Sequence, residues 1–478
     1  MKLRSFILPG TVLASAIGLF LAPIANVPLA NAAPVTGSPA GPDAVTGQDA
    51  LAKGPGLLNI ASAKSGLSVD RLKNLLRGDN GLWIDRQGSP FFVEPSLTPQ
   101  QKADSAAERP APAAGSAAAP APAPAPADAF ALHSRPGSTK TIFLDFDGAV
   151  ITGTAWNDSS HPSYDAKPFD TDGDPSSFSD SERKAIIEAW QRVSEDYAVF
   201  DVDVTTADPG DAALNRSSAS DNVYGSHVVI TPTTDVRPGV GGVAYVGTFN
   251  SANNGQNQPA WVFSSNLSNV ASNIAEAATH EVGHNLGLSH DGDSQQSYSR
   301  GQGIWAPIMG AAYGKPLSQW SNGDYKDANN KEDDLSVIAG HGLSYIPANH
   351  GTSTATASAV AKGSSYNGTI LSRTDVAYYK VVVSASGAYT FAATPPAVGA
   401  NLDIKLSLLD ANGTQLDSNN PVATKAASST AAGIDAKLSG TLAPGTYYLT
   451  IDGVGQGDPQ VDGYSDYGSI GSFTLAVS

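Results

Sequence analysis

The 478-residue chain contains no cysteine. That excludes disulfide scaffolds, thiolate zinc sites, cysteine nucleophiles, iron–sulfur clusters and a cysteine-linked lipid anchor. Charge is scarce as well, at 15% of residues, and it is lopsided: 28 Lys and Arg stand against 45 Asp and Glu, a formal net charge of -17. Such a surface repels phosphate backbones and anionic lipid heads, which argues against nucleic-acid binding and polybasic membrane attachment. Glutamate supplies only 8 of the 45 acids. The dominant Asp favours turns, caps and calcium loops, whereas Glu favours helix interiors. What is abundant is Gly (48) and Pro (32), which predicts loops and β-structure. With 41% hydrophobic residues the chain has material for real cores, and its length predicts two or three domains.

The first residues read as an export signal. Lys2 and Arg4 form a positive start, Phe6 to Ala22 is mostly apolar, and Ala30-Asn31-Ala32 is a small-x-small cleavage site. Residues 1–32 are thus expected to be a signal peptide, and the remaining chain to be secreted, with no membrane attachment after cleavage. Residues 33–109 are expected to form a small folded unit, with a helix at Val69 to Leu76 and two strands, at Gly81 to Asp85 and Pro90 to Val93. Residues 110–137 begin as almost pure Ala and Pro, which can build no core and predicts an extended linker. A folded unit between a signal and a linker has the layout of a removable propeptide; the alternative is a permanent N-terminal binding module.

Residues 138–348 carry a mixed α/β pattern. Strands are expected at 141–146, 201–206, 227–231, 243–249 and 260–263. Helices are expected at 180–197, 273–286 and 332–339. In the first helix Ile186, Trp190, Val193 and Tyr197 share one face. Residues 349–478 are Ser/Thr/Gly-rich with short alternating runs and turn signals, which predicts an antiparallel β-sandwich. The fold class is α+β, a catalytic-type domain with mixed sheet, followed by an all-β C-terminal domain.

The chemistry concentrates in His280-Glu281-Val282-Gly283-His284-Asn285-Leu286-Gly287-Leu288-Ser289-His290-Asp291. On a helix, His280 and His284 lie one turn apart on one face and can reach one cation at about 2.0–2.1 Å. Glu281, pointing elsewhere, can reach a water at the metal's open position, as a general base must. Gly287 can take the left-handed conformation that ends the helix, so that His290 approaches the same ion. The chain has eight His, and three fall within the eleven positions from His280 to His290. Apart from Met1 there is one methionine, Met309, in a tight Pro-Ile-Met-Gly sequence 19 positions after His290. It could floor the imidazoles with a polarizable side chain.

This pattern resembles the metzincin zinc endopeptidases, and Asp291 resembles their reprolysin-like (adamalysin) branch. The resemblance implies that His280, His284 and His290 bind Zn²⁺, that Glu281 is the general base, and that Met309 forms the Met-turn. It implies a secreted endopeptidase with a protein or peptide substrate. Ala311 stands where astacin- and serralysin-like members carry a tyrosine ligand. The region Tyr313 to Trp320 would lie near the S1′ pocket. The C-terminal stretches at 375–381, 401–406 and 445–451 resemble the bacterial pre-peptidase C-terminal domain.

Further expectations concern the surroundings. Extended substrate would add to a sheet edge, for which Pro259 to Ser264 is the candidate strand, an ordinary core strand being the alternative. If residues 33–109 impose latency, a carboxylate, a backbone group or steric cover must do it, and Asp85 is the candidate capping acid. Asp170, Asp172 and Asp174 alternate in a way that suits Ca²⁺, although Pro175 and the missing Glu break the EF-hand template; a solvated turn is the alternative. Asp145 and Asp147 read as strand-end residues, and His227, His341 and His350 as structural or exposed. The rival functions are a binding or adhesion protein on a metalloprotease-like scaffold and a zinc hydrolase of non-peptide substrates.

Overall fold

The computed structural model describes residues 44–106 and 124–478, all within one compact unit. The expected signal peptide and residues 107–123 of the Ala/Pro-rich stretch lie outside the described residues. Among the described residues no helix is long and apolar enough to cross a membrane.

The N-terminal unit runs β1 (Val45–Thr46), α1 (Gly47–Ala52), α2 (Pro55–Ser65), α3 (Val69–Gly78), β2 (Leu82–Ile84), β3 (Pro90–Pro95) and α4 (Pro99–Ala106). Ser68 caps α3 by accepting from the Arg71 N–H, and α3 turns Leu72, Leu75 and Leu76 inward. The β2–β3 turn is held by Asp85, which accepts the backbone N–H groups of Gln87 and Ser89.

The mixed domain supplies β4 (Lys140–Asp145), β5 (Ala149–Thr152), β6 (Ser163–Ala166), α5 (Asp180–Asp196), β7 (Asp203–Thr205), α6 (Asp211–Leu214), β8 (Tyr224–Thr231), β9 (Val240–Tyr245), β10 (Ala260–Phe263), α7 (Ala271–Asn285), β11 (Trp305–Pro307), β12 (Leu317–Gln319) and α8 (Asp334–Gly340). A reciprocal capping box between Ser179 and Glu182 starts α5. The helix α7 is buried on nearly every side, so it is a core helix and not an amphipathic surface one. Ordered packing begins ahead of residue 138, since Ala129 and Leu132 are buried in the main core.

One eight-stranded sheet joins both regions in the order β1-β2-β3-β9-β10-β8-β4-β7. The strands β7, β4, β8 and β10 are mutually parallel, whereas β9 is antiparallel to β10. The N-terminal unit extends the sheet antiparallel through β3, with Phe91 opposite Tyr245, Val93 opposite Val243 and Glu94 opposite Gly242. Two expectations fail here. The strand 259–264 is not an edge, because β10 lies between β9 and β8; in the mixed domain it is β9 that faces outward, and β3 covers it. The strand expected at 243–249 ends at Tyr245, because Gly247, at φ +68°, bends the chain and its N–H goes to the His284 carbonyl.

The C-terminal region is all β, as expected. Its five-stranded sheet runs β13 (Ser358–Val360), β15 (Val376–Val383), β22 (Gly445–Gly453), β17 (Ile404–Leu409) and β18 (Gln415–Asn419). Its four-stranded sheet runs β14 (Ser364–Ile370), β23 (Gly471–Val477), β16 (Gly387–Thr394) and β21 (Ala436–Leu442). The hairpin of β19 (Thr424–Ala427) and β20 (Thr430–Ala432) stands apart. The two main sheets close on Leu406, Leu449, Ile451, Phe473 and Leu475, and this core is continuous with that around α5 and α7.

Candidate active site

The helix α7 carries the centre of the site. His280 and His284 are one turn apart, with ring centroids 4.7 Å from each other. After α7, Gly287 turns the chain at φ +91°, with the imidazole of His341 packed where a side chain would project. His290 then comes back to the pair, 5.4 Å from the His280 ring and 4.8 Å from the His284 ring. Each Nδ1 has a partner: His280 faces the Ile308 carbonyl and His284 the Leu288 carbonyl, both at 2.9 Å, and His290 faces the Asp79 carboxylate at 2.5 Å. These bonds fix the rings so that all three Nε2 atoms point to one place.

A fourth group occupies that place. Glu94, at the end of β3, lies 2.8 Å from His290 Nε2, 3.2 Å from His284 Nε2 and 3.4 Å from His280 Nε2. One ligand atom from each of Glu94, His280, His284 and His290 lies within 4.8 Å of all the others, and all four residues are buried. A tetrahedral ion with bonds of about 2.0–2.1 Å separates its ligands by about 3.3 Å. The spacing therefore fits a small divalent cation. The chemistry of the donors agrees, since three neutral imidazoles and a carboxylate satisfy one, and His280 Nε2 otherwise has no hydrogen-bond partner.

Glu281 follows His280 on α7, and its carboxylate lies against β9. A Cβ on Gly242 would come within 2.0 Å of its Oε1, so this glycine is what allows the carboxylate its position. Both Glu281 oxygens are buried without a hydrogen-bond partner. Burial, and then the charge of Glu94, push its pKa well above the ordinary range. Met309 is fully buried beneath α7, where a Cβ on Gly283 would meet its Sδ at 2.5 Å. The loop from His290 to Met309 is closed by Asp291, whose N–H donates to the Met309 carbonyl at 2.7 Å.

Sequence reasoning named the three histidines, Glu281 and Met309, and the fold brings all five together. It named the wrong acid in the N-terminal unit. Asp85 is committed to its own turn and to the Tyr245 hydroxyl at 3.1 Å, and the acid among the imidazoles is Glu94. It also missed Asp79 and Tyr298. The Tyr298 ring lies 4.0 Å from that of His290, and its hydroxyl donates to the Val93 carbonyl at 3.3 Å. The run Phe91-Phe92-Val93 ending on an acid was the only signal for Glu94. Tyr298 lies in a loop with no pattern to mark it.

Elsewhere, Asp174 is not part of the acidic group near α5; Glu182 takes its place beside Asp170 and Asp172. Both Glu182 oxygens are bonded, to Thr171 and to Ser179, and Asp170 accepts backbone N–H groups of its own loop. Asp145 pairs with His227 at 2.7 Å, and His350 bonds the Thr369 carbonyl at 3.0 Å. Tyr313 packs against the main core, and Trp320 is buried with its indole N–H on the Asp196 carbonyl.

Residues 178–321 match the family model Reprolysin_5, Metallo-peptidase family M12. No curated protein matches the chain. Among solved structures, the chain is similar to the pre-peptidase C-terminal domain of collagenase from Bacillus anthracis. The identity is 12%, covering 25% of this chain and 93% of that one, with a TM-score of 0.19. It is also similar to PliG of Aeromonas hydrophila, a periplasmic inhibitor of g-type lysozyme, at 14% identity, 25% and 95% coverage and a TM-score of 0.16. The matched segment begins just before α5 and ends at Ser321, and it encloses the three converging imidazoles, Glu281 and Met309, so the likeness to metallopeptidase family M12 lies in the part of the chain that carries the site.

Proposed function

We propose that the chain is the latent form of a secreted zinc endopeptidase, activated by loss of the N-terminal unit ahead of the Ala/Pro-rich stretch. The observation that carries this reading is the seat of Glu94 among three imidazoles, 2.8–3.4 Å from their Nε2 atoms, on a strand that covers β9. Four protein ligands leave a zinc ion no open position, whereas a catalytic site keeps one for water. His280, His284 and His290 would hold the zinc in the active enzyme, and Glu94 would block it in the latent one. Bound there, zinc would acidify a water and polarise a peptide carbonyl.

The chain's own residues do the rest. Glu281, kept dry against Gly242, takes the proton of the attacking water and passes it to the leaving amine. With β3 gone, β9 is a free edge whose backbone N–H and C=O groups hold an extended peptide. The path of β3 marks where that peptide runs. Met309 and the Nδ1 bonds of His280 and His284 keep those rings in place during turnover, whereas Asp79, the partner of His290 Nδ1, leaves with the N-terminal unit.

Metal analysis and cleavage of a denatured protein, with and without chelator, test the reading. The enzyme matured from the full chain should contain one zinc and lose its cleavage to chelator. Glu281→Gln should keep the metal and lose activity by at least about 10²–10⁴-fold. Full proteolysis by that variant would remove Glu281 as the base, and chelator-resistant cleavage would remove the metal. Hydrolysis of small esters without any peptide cleavage would favour a non-peptide substrate instead.

A further inference from the structure

Arg237 lies in the loop between β8 and β9 and is 2% exposed. Its Nε, Nη1 and Nη2 atoms are all buried with no hydrogen-bond partner. Arginine is seldom buried unless paired, because a guanidinium out of water without a counter-ion is costly. Here burial alone acts on it, lowering its pKa to about 10, and no carboxylate offsets the effect. What covers the cation is an aromatic face: the guanidinium carbon lies 4.8 Å from the ring centroid of Trp83. Trp83 Nε1 is itself buried and unbonded.

The cover belongs to the N-terminal unit. Trp83 is in β2 and stands opposite Phe91 of β3, which stands opposite Tyr245 of β9. Side chains along a strand alternate in direction. Phe92 and Glu94 face the imidazoles. Phe91 and Val93 face the other side of the sheet, where they pack with Val236, Val240, Val243 and Tyr245. Arg237 is thus on the side of the sheet away from the imidazoles, beneath a side chain of the N-terminal unit.

We propose that Arg237 is a specificity residue of the mature enzyme: uncovered when the N-terminal unit departs, it binds a substrate carboxylate, Asp or Glu, on the face of β9 turned away from the metal. The inference rests on the reading that a peptide replaces β3 along β9. The fork of five donors fits a carboxylate two bonds at a time, which a backbone carbonyl or an amide cannot match. The acidic side chain would occupy a position like that of Phe91 or Val93, an odd number of residues from the position of Glu94.

The test uses enzyme matured from the full chain and a set of fluorogenic peptides in which Glu and Gln are exchanged at each position around the scissile bond. At one such alternate position Glu should raise kcat/KM over Gln by roughly 10-fold or more, and Arg237→Gln should bring that ratio close to 1. A ratio that Arg237→Gln leaves unchanged overturns the proposal. Binding of the same peptide pair to the Glu281→Gln variant, matured in trans by wild-type enzyme that is then removed, gives the ratio by calorimetry without turnover, so loss of the endopeptidase reading and loss of this one can be told apart. In the unprocessed chain, Arg237→Gln should leave the Tm equal or raised, because it removes an unpaired cation. A clear fall in Tm would mean that Arg237 serves the fold, and would also overturn the proposal.

Discussion

Glu94 and Glu281 share one dry space, and their surroundings drive them in opposite directions. Burial pushes both upward. For Glu94 the charges of His290 and His280, and a hydrogen bond from His284, outweigh it and hold the carboxylate well below its usual range. Glu281 has no such donors, and the nearby charge of Glu94 adds to its burial. One acid is thereby fitted to sit on a cation and the other to hold a proton. Latency should depend on the first. Glu94→Gln in the full chain is expected to process itself faster than wild type and to cleave a fluorogenic peptide before processing is complete, followed by gel and fluorescence in parallel. If the variant stays as silent as wild type, steric cover by β3 suffices and the carboxylate is dispensable.

At the scale of elements, α7 can hold the site because small residues let its neighbours close in. Gly242 admits Glu281 against β9, and Gly283 admits the sulfur of Met309 under the helix. Gly283→Ala would place a Cβ 2.5 Å from that sulfur. The thioether can shift, so the cost is expected at about 1–3 kcal/mol. The readout is thermal unfolding with and without chelator. A lower Tm together with weaker zinc retention supports the packing role, and an unchanged Tm would mean that Met309 swings aside freely. The same scale shows where local patterns stop. The run His280 to Asp291 encodes its own helix, turn and returning histidine, because every contact among them is short in sequence. The pairing of β3 with β9 joins residues about 150 positions apart, and no spacing in the chain marks it. That is why local patterns point to β10 as an edge when β9 is the strand that β3 covers.

Across the whole molecule, the mixed α/β domain and the C-terminal sandwich meet through buried acids at the end of α5. Glu195 accepts the Ser472 N–H at 2.7 Å, and Asp196 accepts from Asn401 at 2.8 Å. Burial raises Glu195 to about 7, only partly countered by Ser472. Because the folded pKa lies above the unfolded one, the folded chain keeps a proton that the unfolded chain has lost between about pH 4.5 and 7. Stability therefore falls as pH rises through that window and is level above it. Glu195→Gln keeps an acceptor for Ser472 without the charge. It should be more stable than wild type at pH 8, by roughly 1–3 kcal/mol, and equal to it near pH 4.5. Denaturant melts at the two pH values check this, and an equal difference at both would remove the titration of Glu195 as the cause. At the same junction the buried Trp320 indole N–H donates to the Asp196 carbonyl.

The amino-acid sequence determined the helix with its two histidines, the glycine that turns the third one back, the glutamate beside them and the strand texture of the C-terminal region. Each of these depends on periodicity, or on a conformational preference that acts over a few residues. Only the tertiary structure decided which strand borders the cleft, which acid of the N-terminal unit reaches the imidazoles, and that Arg237 is left without a counter-ion under Trp83. Those outcomes follow from sheet order and from burial of groups far apart in the chain, where the free energy depends on neighbours that no local pattern names.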